Sequence, residues 1–566
     1  MKVCVVGAGV SGLTAIKHCL EYGLEVVCFE AGQHIGGLWR YNTENRDGFG
    51  SVMRNTILNT SKEFIAFSDF PIDEKMANFP HNREVIGYLE RYAEHFGLKE
   101  HIQFETRVLE INKSTDYEET GNWLVSTERA DPFGVEISVF NAVIISNGHH
   151  VKPSRPNIPG LNVFKGTVVH SHEYMDHRPF HDRRVLIVGI GNSGGDVACE
   201  LARVSKQVTI STRQGTWVTR RVVKQGYPRD VILRTRYFEK AMRTLPKRVR
   251  QWLTLYEYTS FMDHEKYGLR PRELPGESPV LLADDMPLHL ASGAIRIRCR
   301  IERFEENSVV FSDGYSEEID DVVLCTGYDF DFDFVESGQL IPVEDNQVRL
   351  WKRMFVPEEQ HHTLAVIGLV DPLGPTMTMA EIQSRAVAHI WSLKVQLPSR
   401  NQMDKEIDEE KAATAARFKC SGRKASLQID HISYFDAMAK IIGCLPPLDL
   451  SLFVHDPALA FLLYFGPVTA SHYRIVGPHQ WKEAGTHVKG KFDSAVFSTM
   501  IDYRNFLHFP TVILGSAPTF QRVHRGMNPQ ALSVSGTPHS VLVLNNPTKI
   551  ILVGLFLLLV IMITLF

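Results

Sequence analysis

The chain has 566 residues, with 61 basic against 65 acidic side chains and a formal net charge of −4. That balance excludes the large basic excess of a nucleic-acid binder. A composition of 44% hydrophobic and 22% charged residues is globular and excludes a chain dominated by disorder, and the length predicts about three to four domains at roughly 150 residues each.

From the N-terminus, Lys2–Val6 reads as a short apolar strand, residues 10–22 as a helix and residues 25–30 as a second strand. The same order returns later: a strand at Arg184–Val188, a helix over 193–203 and a strand at Gln207–Ser211. Strand–helix–strand units of this length predict parallel sheet with right-handed crossovers. Between them lie strand-like runs at 102–108, 122–126 and 135–145. Pro153, Pro156 and Pro159 then mark a crossing between domains. Residues 213–250 hold twelve basic and two acidic side chains interleaved with aromatics. This stretch reads either as a solvated helical face or as contact with an anionic membrane surface. Further strands are predicted at 320–325 and 364–368, an exposed charged helix at 404–411, and a linker at 525–547.

The last seventeen residues, 550–566, carry no charge. That is the low end of a membrane-spanning length, and the segment is apolar on every side. The expectation is a C-terminal tail anchor; the N-terminus lacks the longer apolar stretch of a cleaved signal. Eight cysteines include no C-x-x-C pair, which removes the simplest dithiol centre and a zinc ribbon. Cys4, Cys19 and Cys28 read as core thiols, and no metal site is expected.

Each repeated unit carries a glycine loop. The first is Gly7-Ala-Gly9-Val-Ser11-Gly12, with Glu30 eighteen residues beyond Gly12. Its glycines serve a tight turn, close approach of backbone to a pyrophosphate, and helix–strand packing. The acid suits ribose hydroxyls. The second is Gly189-Ile-Gly191-Asn192-Ser193-Gly194, and its second strand runs into Ser211-Thr212-Arg213 instead of an acid. An arginine there pairs with a 2′-phosphate, so this site is expected to prefer NADPH to NADH. Two dinucleotide sites in one chain suggest FAD on the first unit, beside the glycine-rich turn Gly36–Arg40, and a nicotinamide on the second.

The segment Phe164-Lys-Gly166-Thr-Val-Val-His170-Ser-His-Glu-Tyr174 resembles the F-x-G-x-x-x-H-x-x-x-Y motif of the flavin-containing monooxygenases. The related Baeyer–Villiger class usually has Trp at the place of Tyr174. Asn59-Thr60-Ser61-Lys62, Phe67-Ser-Asp-Phe-Pro71 and Leu324-Cys325-Thr-Gly-Tyr328 resemble further family segments, with Cys325 where alanine is usual. The likeness spans essentially the whole chain and includes the apolar tail of membrane-anchored animal members.

The resemblance implies an α/β fold with two Rossmann-like domains, an FAD domain interrupted by an NADPH domain, plus an insertion and a transmembrane helix. The expected division is 1–152 for the first part of the FAD domain and 153–212 for the first part of the NADPH domain. Residues 213–295 form the insertion and 296–330 the NADPH-domain return. Residues 331–524 form the second FAD part and substrate channel, 525–549 the linker and 550–566 the anchor. Gly7, Gly9, Ser11, Gly12, Glu30, Leu38, Trp39 and Thr60 are expected on FAD. Gly189, Gly191, Asn192, Ser193, Gly194, Asp196 and Arg213 are expected on NADPH, and Asn59 between flavin and substrate as the catalytic residue.

The implied activity is that of the N,N-dimethylaniline monooxygenase class. NADPH and O2 drive oxygenation of an amine nitrogen or thioether sulfur in a small molecule through a flavin hydroperoxide. Baeyer–Villiger chemistry and an H2O2-forming NADPH oxidase are the alternatives on the same scaffold. A flavin disulfide reductase would need the missing C-x-x-C, and a bare membrane tether would not need intact cofactor loops. His170 reads as a positioning residue at the domain junction, Trp39 equally as packing, Asp196 as helix first-turn charge, and Lys62 equally as a surface residue. The implied location is the endoplasmic reticulum membrane with the catalytic domains facing the cytosol. The oligomeric state stays open, a dimer included.

Overall fold

A computed structural model describes residues 1–42, 48–129, 134–223, 226–278, 280–372, 374–417 and 427–497. The expected linker and the anchor at 550–566 lie outside them. Among the described residues no helix is long and apolar enough to cross a membrane.

Two five-stranded parallel sheets organise the chain. The first runs in the order Leu364–Val366, Ala142–Ile145, Lys2–Val6, Glu25–Phe29, Ile102–Gln103. The second runs Ile295–Arg298, Gln207–Ser211, Arg184–Val188, Asp321–Leu324, Thr167–His170. Both are buried on both faces, as parallel sheets require. Alternation assigns the faces: Val3 and Val5 enter one core, Cys4 and Val6 another. In the second sheet Val185 and Ile187 face one core and Leu186 the other. The cysteines of the first unit are core residues as expected, and burial pushes the Cys19 thiol up to about 12. The strand feeding each glycine loop is central in its sheet, which places the loops at the carboxyl edge where such sheets bind ligands.

Two predicted strands are each two. The run 102–108 breaks at Glu105, whose φ is +52°, separating Ile102–Gln103 in the parallel sheet from Thr106–Lys113. The run 135–145 breaks at Asn141, whose side-chain oxygen accepts from Lys2 N at 2.7 Å while its own N–H donates to Lys2 O at 2.9 Å. Val135–Phe140 therefore joins Thr106–Lys113 and Trp123–Arg129 in an antiparallel meander, and only Ala142–Ile145 enters the first sheet.

The stretch after Arg213 folds as a strand Trp217–Thr219 paired with Val280–Leu282, and between them helices Arg229–Leu233, Arg236–Thr244 and Lys247–Thr259. The chain returns to the second sheet at Ile295. The charged run 404–411 lies inside a longer helix, Arg400–Arg417.

The Phe67–Pro71 motif is a structural tie. Buried Arg474 donates to Ser68 Oγ at 2.8 Å and to Glu21 at 3.0 Å, and pairs with Asp69 at 2.8 Å. Lys17 reaches Asp69 at 2.6 Å from the first helix. A fully buried arginine is tolerable only with such partners, so this network fixes the distal part of the chain onto the first helix.

Candidate functional site

The first glycine loop is shaped by backbone contacts. Gly7 has φ +94°, and a Cβ on it would lie 2.9 Å from Ser146 O. Gly12 is tighter: its Cβ would stand 1.8 Å from Gly7 O, so the helix rests directly on the turn. At Gly9 a Cβ would meet only Gly37 Cα at 3.6 Å, an ordinary contact. Gly9 is the N-cap of the helix Val10–Glu21 and offers no side-chain cap. The first N–H groups of that helix are thus left for an anion. Glu30 turns its carboxylate onto the loop, accepting from Ala8 N at 2.6 Å and Gly32 N at 2.7 Å. A carboxylate has further lone pairs for hydroxyl donors.

The second loop repeats this design. Gly189 has φ +103° and faces Cys325 O, 2.5 Å from where a Cβ would sit; a Cβ on Gly194 would be 2.3 Å from Gly189 O. Gly191 caps the helix Asn192–Leu201, again with no side-chain cap. Asn192 Oδ1 accepts from Leu282 N at 3.3 Å, which ties the loop to the insertion. Of the hydroxyls at the end of the strand, Ser211 donates to Cys299 O at 2.8 Å, while Thr212 Oγ1 accepts from Gly215 N at 3.0 Å and keeps its own O–H to donate. Arg213 lines the cavity beside them. Arg300, which the sequence reading missed, lines the same cavity. Only tertiary folding brings it there, on the far side of the insertion.

Both loops open into one cavity of about 2720 Å³, well above the ~300–1,000 Å³ of a site for one small ligand. Its walls include Gly7, Gly9, Ser11, Glu30, Leu38, Trp39, Asn59 and Thr60 from the first unit. From the second they include Gly189, Gly191, Asn192, Ser193, Asp196 and Arg213. Gly12 and Gly194 are not on the wall. Each packs beneath its loop, where the missing side chain lets helix and turn close on one another. Trp39 both lines the cavity and packs on the core. Two uncapped helix N-termini, two glycine turns and a carboxylate beside the first fit two dinucleotides.

At the junction Asn59 Oδ1 accepts from Arg221 Nη2 at 2.5 Å. Arg221 is 6% exposed and belongs to the insertion. Its backbone N–H and Nη1 donate to the two oxygens of Asp284, each at 3.0 Å, and Nη2 lies 3.5 Å from Asp196 Oδ1. One guanidinium thus joins the Asn59 segment, the second glycine helix and the insertion. Asp196 sits in the second turn of that helix, not the first. Burial pushes its carboxyl up to about 6, against the pull of Arg221. Ser61 N donates to Asp230 Oδ2 at 2.7 Å, a second tie from the insertion. Neither Arg221 nor Asp230 was singled out in the basic stretch, where charge pattern alone does not separate a buried arginine from a solvated one.

Lys62 is fully buried. Its Nζ donates to Glu74 O at 2.6 Å and Met76 O at 2.9 Å, which anchors the next loop and rules out the surface reading.

The Phe164–Tyr174 segment also has a structural account. Burial first, then the charge of Arg155, lowers His170 to about 4, and its Nδ1 accepts from His172 N at 3.1 Å. It ends an edge strand of the second sheet, with its ring 5.4 Å from that of Tyr328. A neutral, locally bonded imidazole at the junction fits the positioning reading. Tyr174 donates to Glu200 Oε2 at 3.1 Å, and Glu200 Oε1 accepts from Asn55 Nδ2 at 2.7 Å. The tyrosine hydroxyl thus helps to tie the second glycine helix to the segment leading into Asn59.

The family model for flavin-binding monooxygenase-like proteins matches residues 1–504. The mouse (Mus musculus) dimethylaniline monooxygenase [N-oxide-forming] 2 is 41% identical over 488 residues, covering 85% of this chain and 90% of that protein. The human (Homo sapiens) flavin-containing monooxygenase 2 is 40% identical over 487 residues, with the same coverage of 85% and 90%. Among solved structures, the S-allyl-L-cysteine S-oxygenase of Allium sativum superposes with a TM-score of 0.59 at 23% identity, covering 91% of this chain and 98% of that one. The cyclohexanone monooxygenase of Rhodococcus sp. Phi1 bound to NADP+ gives 0.56 at 16%, covering 78% and 97%. At those identities the two structures speak for the fold alone. By its match over most of its length and its two glycine loops on one cavity, the chain belongs to the flavin-binding monooxygenase family and is an FAD- and NADPH-dependent enzyme.

Proposed function

We propose that the enzyme oxygenates the nitrogen of amines and the sulfur of thioethers. One atom of O2 enters the substrate, the other leaves as water, and NADPH supplies the two electrons. The observation that carries this reading is the meeting of both glycine loops in one cavity with Asn59 at their junction. The mouse relative's name, which specifies N-oxide formation, and the Allium neighbour's, which specifies S-oxygenation, support the two substrate atoms.

The first loop, Glu30, Leu38 and Thr60 would hold FAD, and the second loop with Arg213 would hold NADPH. FAD supplies the redox chemistry that links NADPH to O2. The chain's own work is positional. Arg221 takes the oxygen end of the Asn59 amide, which leaves the NH2 end to donate into the site. With both cofactors bound, the walls would help to shield the reacting atoms from water. No side chain has to act as a nucleophile.

The experiment is a coupled assay on the FAD-loaded enzyme with a simple thioether and with a tertiary amine. Sulfoxide or N-oxide should form in near-equal amount to NADPH consumed. NADPH consumption with H2O2 alone would favour the oxidase alternative, and ester formation from a ketone the Baeyer–Villiger one.

The segment 550–566 would hold the enzyme in the endoplasmic reticulum membrane, with the catalytic part on the cytosolic side. Trp252 and Tyr256 stack on the helix Lys247–Thr259 and are 62% and 64% exposed, and Leu450 and Val454 are 80% and 70% exposed. Apolar side chains standing out from a basic surface support a membrane-facing side. Deleting 550–566 should move FAD-loaded enzyme from the membrane fraction into the supernatant. Protection of the catalytic part from protease in intact microsomes would reject the orientation.

A further inference from the structure

The wall of the cavity near Asn59 contains a cation, Arg234, that has no hydrogen-bond or ion-pair partner among the described residues. The path to it is short. Ser61 is two residues from Asn59, and its N–H donates to Asp230 Oδ2. Asp230 lies in the short helix Arg229–Leu233, and its carbonyl accepts from Arg234 N at 2.8 Å, one turn on. Asp230, Leu233 and Arg234 line the same cavity as Asn59.

The two arginines of this turn differ. Arg229 is committed: its Nε donates to Glu257 Oε1 at 2.7 Å, and its guanidinium stands 5.8 Å from the Tyr258 ring. Arg234 has no such bond. Among the described residues its guanidinium makes no hydrogen bond or ion pair. Asp230, Tyr258 and Asp430 act on it only through space, and Asp430 is itself paired with Arg417. Burial, then the like charge of Arg229, makes its charged form less favourable than in water. The nearby His431 is held neutral by burial, so it offers no counter-charge. Arg234 is half-buried; an unpaired guanidinium partly withdrawn from water gains by taking a partner, and an arginine fork matches a carboxylate with two parallel bonds.

We propose that Arg234 is a substrate anchor, and that the preferred substrates are soft nucleophiles that also carry a carboxylate. This rests on the oxygenation reading above. The anion would dock on Arg234, one helical turn from the Asp230–Ser61 tie, which leaves the thioether or amine end to face Asn59. The apolar wall formed by Leu233, Phe64 and Met377 would hold the carbon chain between them.

The test compares 3-(benzylthio)propanoate with its methyl ester, a neutral probe of nearly the same shape. In the unaltered enzyme kcat/KM for the acid should exceed that for the ester by about tenfold or more, the worth of a charge-assisted bond. In Arg234→Gln that acid-to-ester ratio should fall about ten- to a hundredfold, and Arg234→Lys should restore part of it. Binding is read separately: the sulfoxide of the acid, which is already oxygenated, should bind the oxidised FAD enzyme by calorimetry and bind Arg234→Gln at least tenfold more weakly. FAD content and Tm report whether each variant folds, and the acid-versus-ester comparison in the unaltered enzyme needs no variant. An ester oxygenated as well as the acid, or a ratio unmoved by Arg234→Gln, would overturn the anchor while leaving the oxygenation reading intact. Failure to oxygenate either probe, with NADPH consumed, would overturn the oxygenation reading itself.

Discussion

Arg221 Nη2 donates to Asn59 Oδ1 at 2.5 Å, so the asparagine amide is held by its oxygen end and its NH2 is the group left to act. From sequence, Asn59 could both donate and accept. The structure assigns the accepting half to Arg221. Asn59→Asp then has a defined consequence. The carboxylate keeps the Arg221 bond, now charge-assisted, so the fold and FAD content should survive. The donor is gone. A preorganised donor in an active site is typically worth about 2.7–4 kcal/mol, which implies oxygenation slower by roughly two to three orders of magnitude. The measurement is product formed per NADPH consumed with a thioether; wild-type rate and ratio would refute the role.

The Arg221–Asp196 pair predicts a pH dependence. Burial raises Asp196 from 3.8 to about 6, and Arg221 opposes the rise. Above that value the ionised carboxylate helps hold Arg221; below it the protonated group holds it less well. NADP+ affinity should therefore show an inflection near pH 6 that Asp196→Asn removes. The stability contribution has the opposite sign. With the folded value raised, this group favours the fold below pH 3.8 and loses that contribution as pH climbs through 6. Asp196→Asn should accordingly raise Tm more at pH 7.5 than at pH 5. A Tm difference independent of pH would mean that Asp196 does not titrate in this window.

The paired glycine loops were legible because each device is local: a central strand, a turn and a helix start lie within a dozen residues, and both strand–turn–helix units are present at the predicted places. The two broken strands, at Glu105 and Asn141, were not. Their breaks come from one positive φ and from a side chain bonded to Lys2, far away in sequence. The centre of the site was half legible. Asn59 was identified through family likeness. Its partner Arg221 sits among twelve basic residues, and only burial and distance separate it from the others. Lys62 shows the same limit in reverse, since its two carbonyl partners are twelve and fourteen residues on.

Arg213 remains the group that should choose between the nicotinamide cofactors, since the Ser211 hydroxyl already donates to a backbone carbonyl. Arg213→Ala should weaken NADPH by about ten- to a hundredfold, the cost of a charged hydrogen bond of about 1.5–3 kcal/mol, and should change NADH little. Steady-state kcat/KM for the two cofactors decides. If Arg300 supplies the phosphate contact instead, Arg300→Ala will produce the larger loss.

Gly12 and Gly194 offer a matched pair because both pack under a loop. A methyl on Gly12 would need to sit 1.8 Å from Gly7 O, and on Gly194 2.3 Å from Gly189 O. Both obstacles are backbone, which cannot rotate aside, so each helix must lift from its own turn. Gly12→Ala should yield protein with little bound flavin, read as the ratio of 450 nm absorbance to protein. Gly194→Ala should keep its flavin but lose rapid reduction by NADPH while still being reduced by dithionite. Overpacking of this kind costs about 1–3 kcal/mol, enough to distort a loop without unfolding a domain that has a complete core of its own. A yellow Gly12→Ala enzyme beside a colourless Gly194→Ala enzyme would show that the two cofactors occupy the opposite loops.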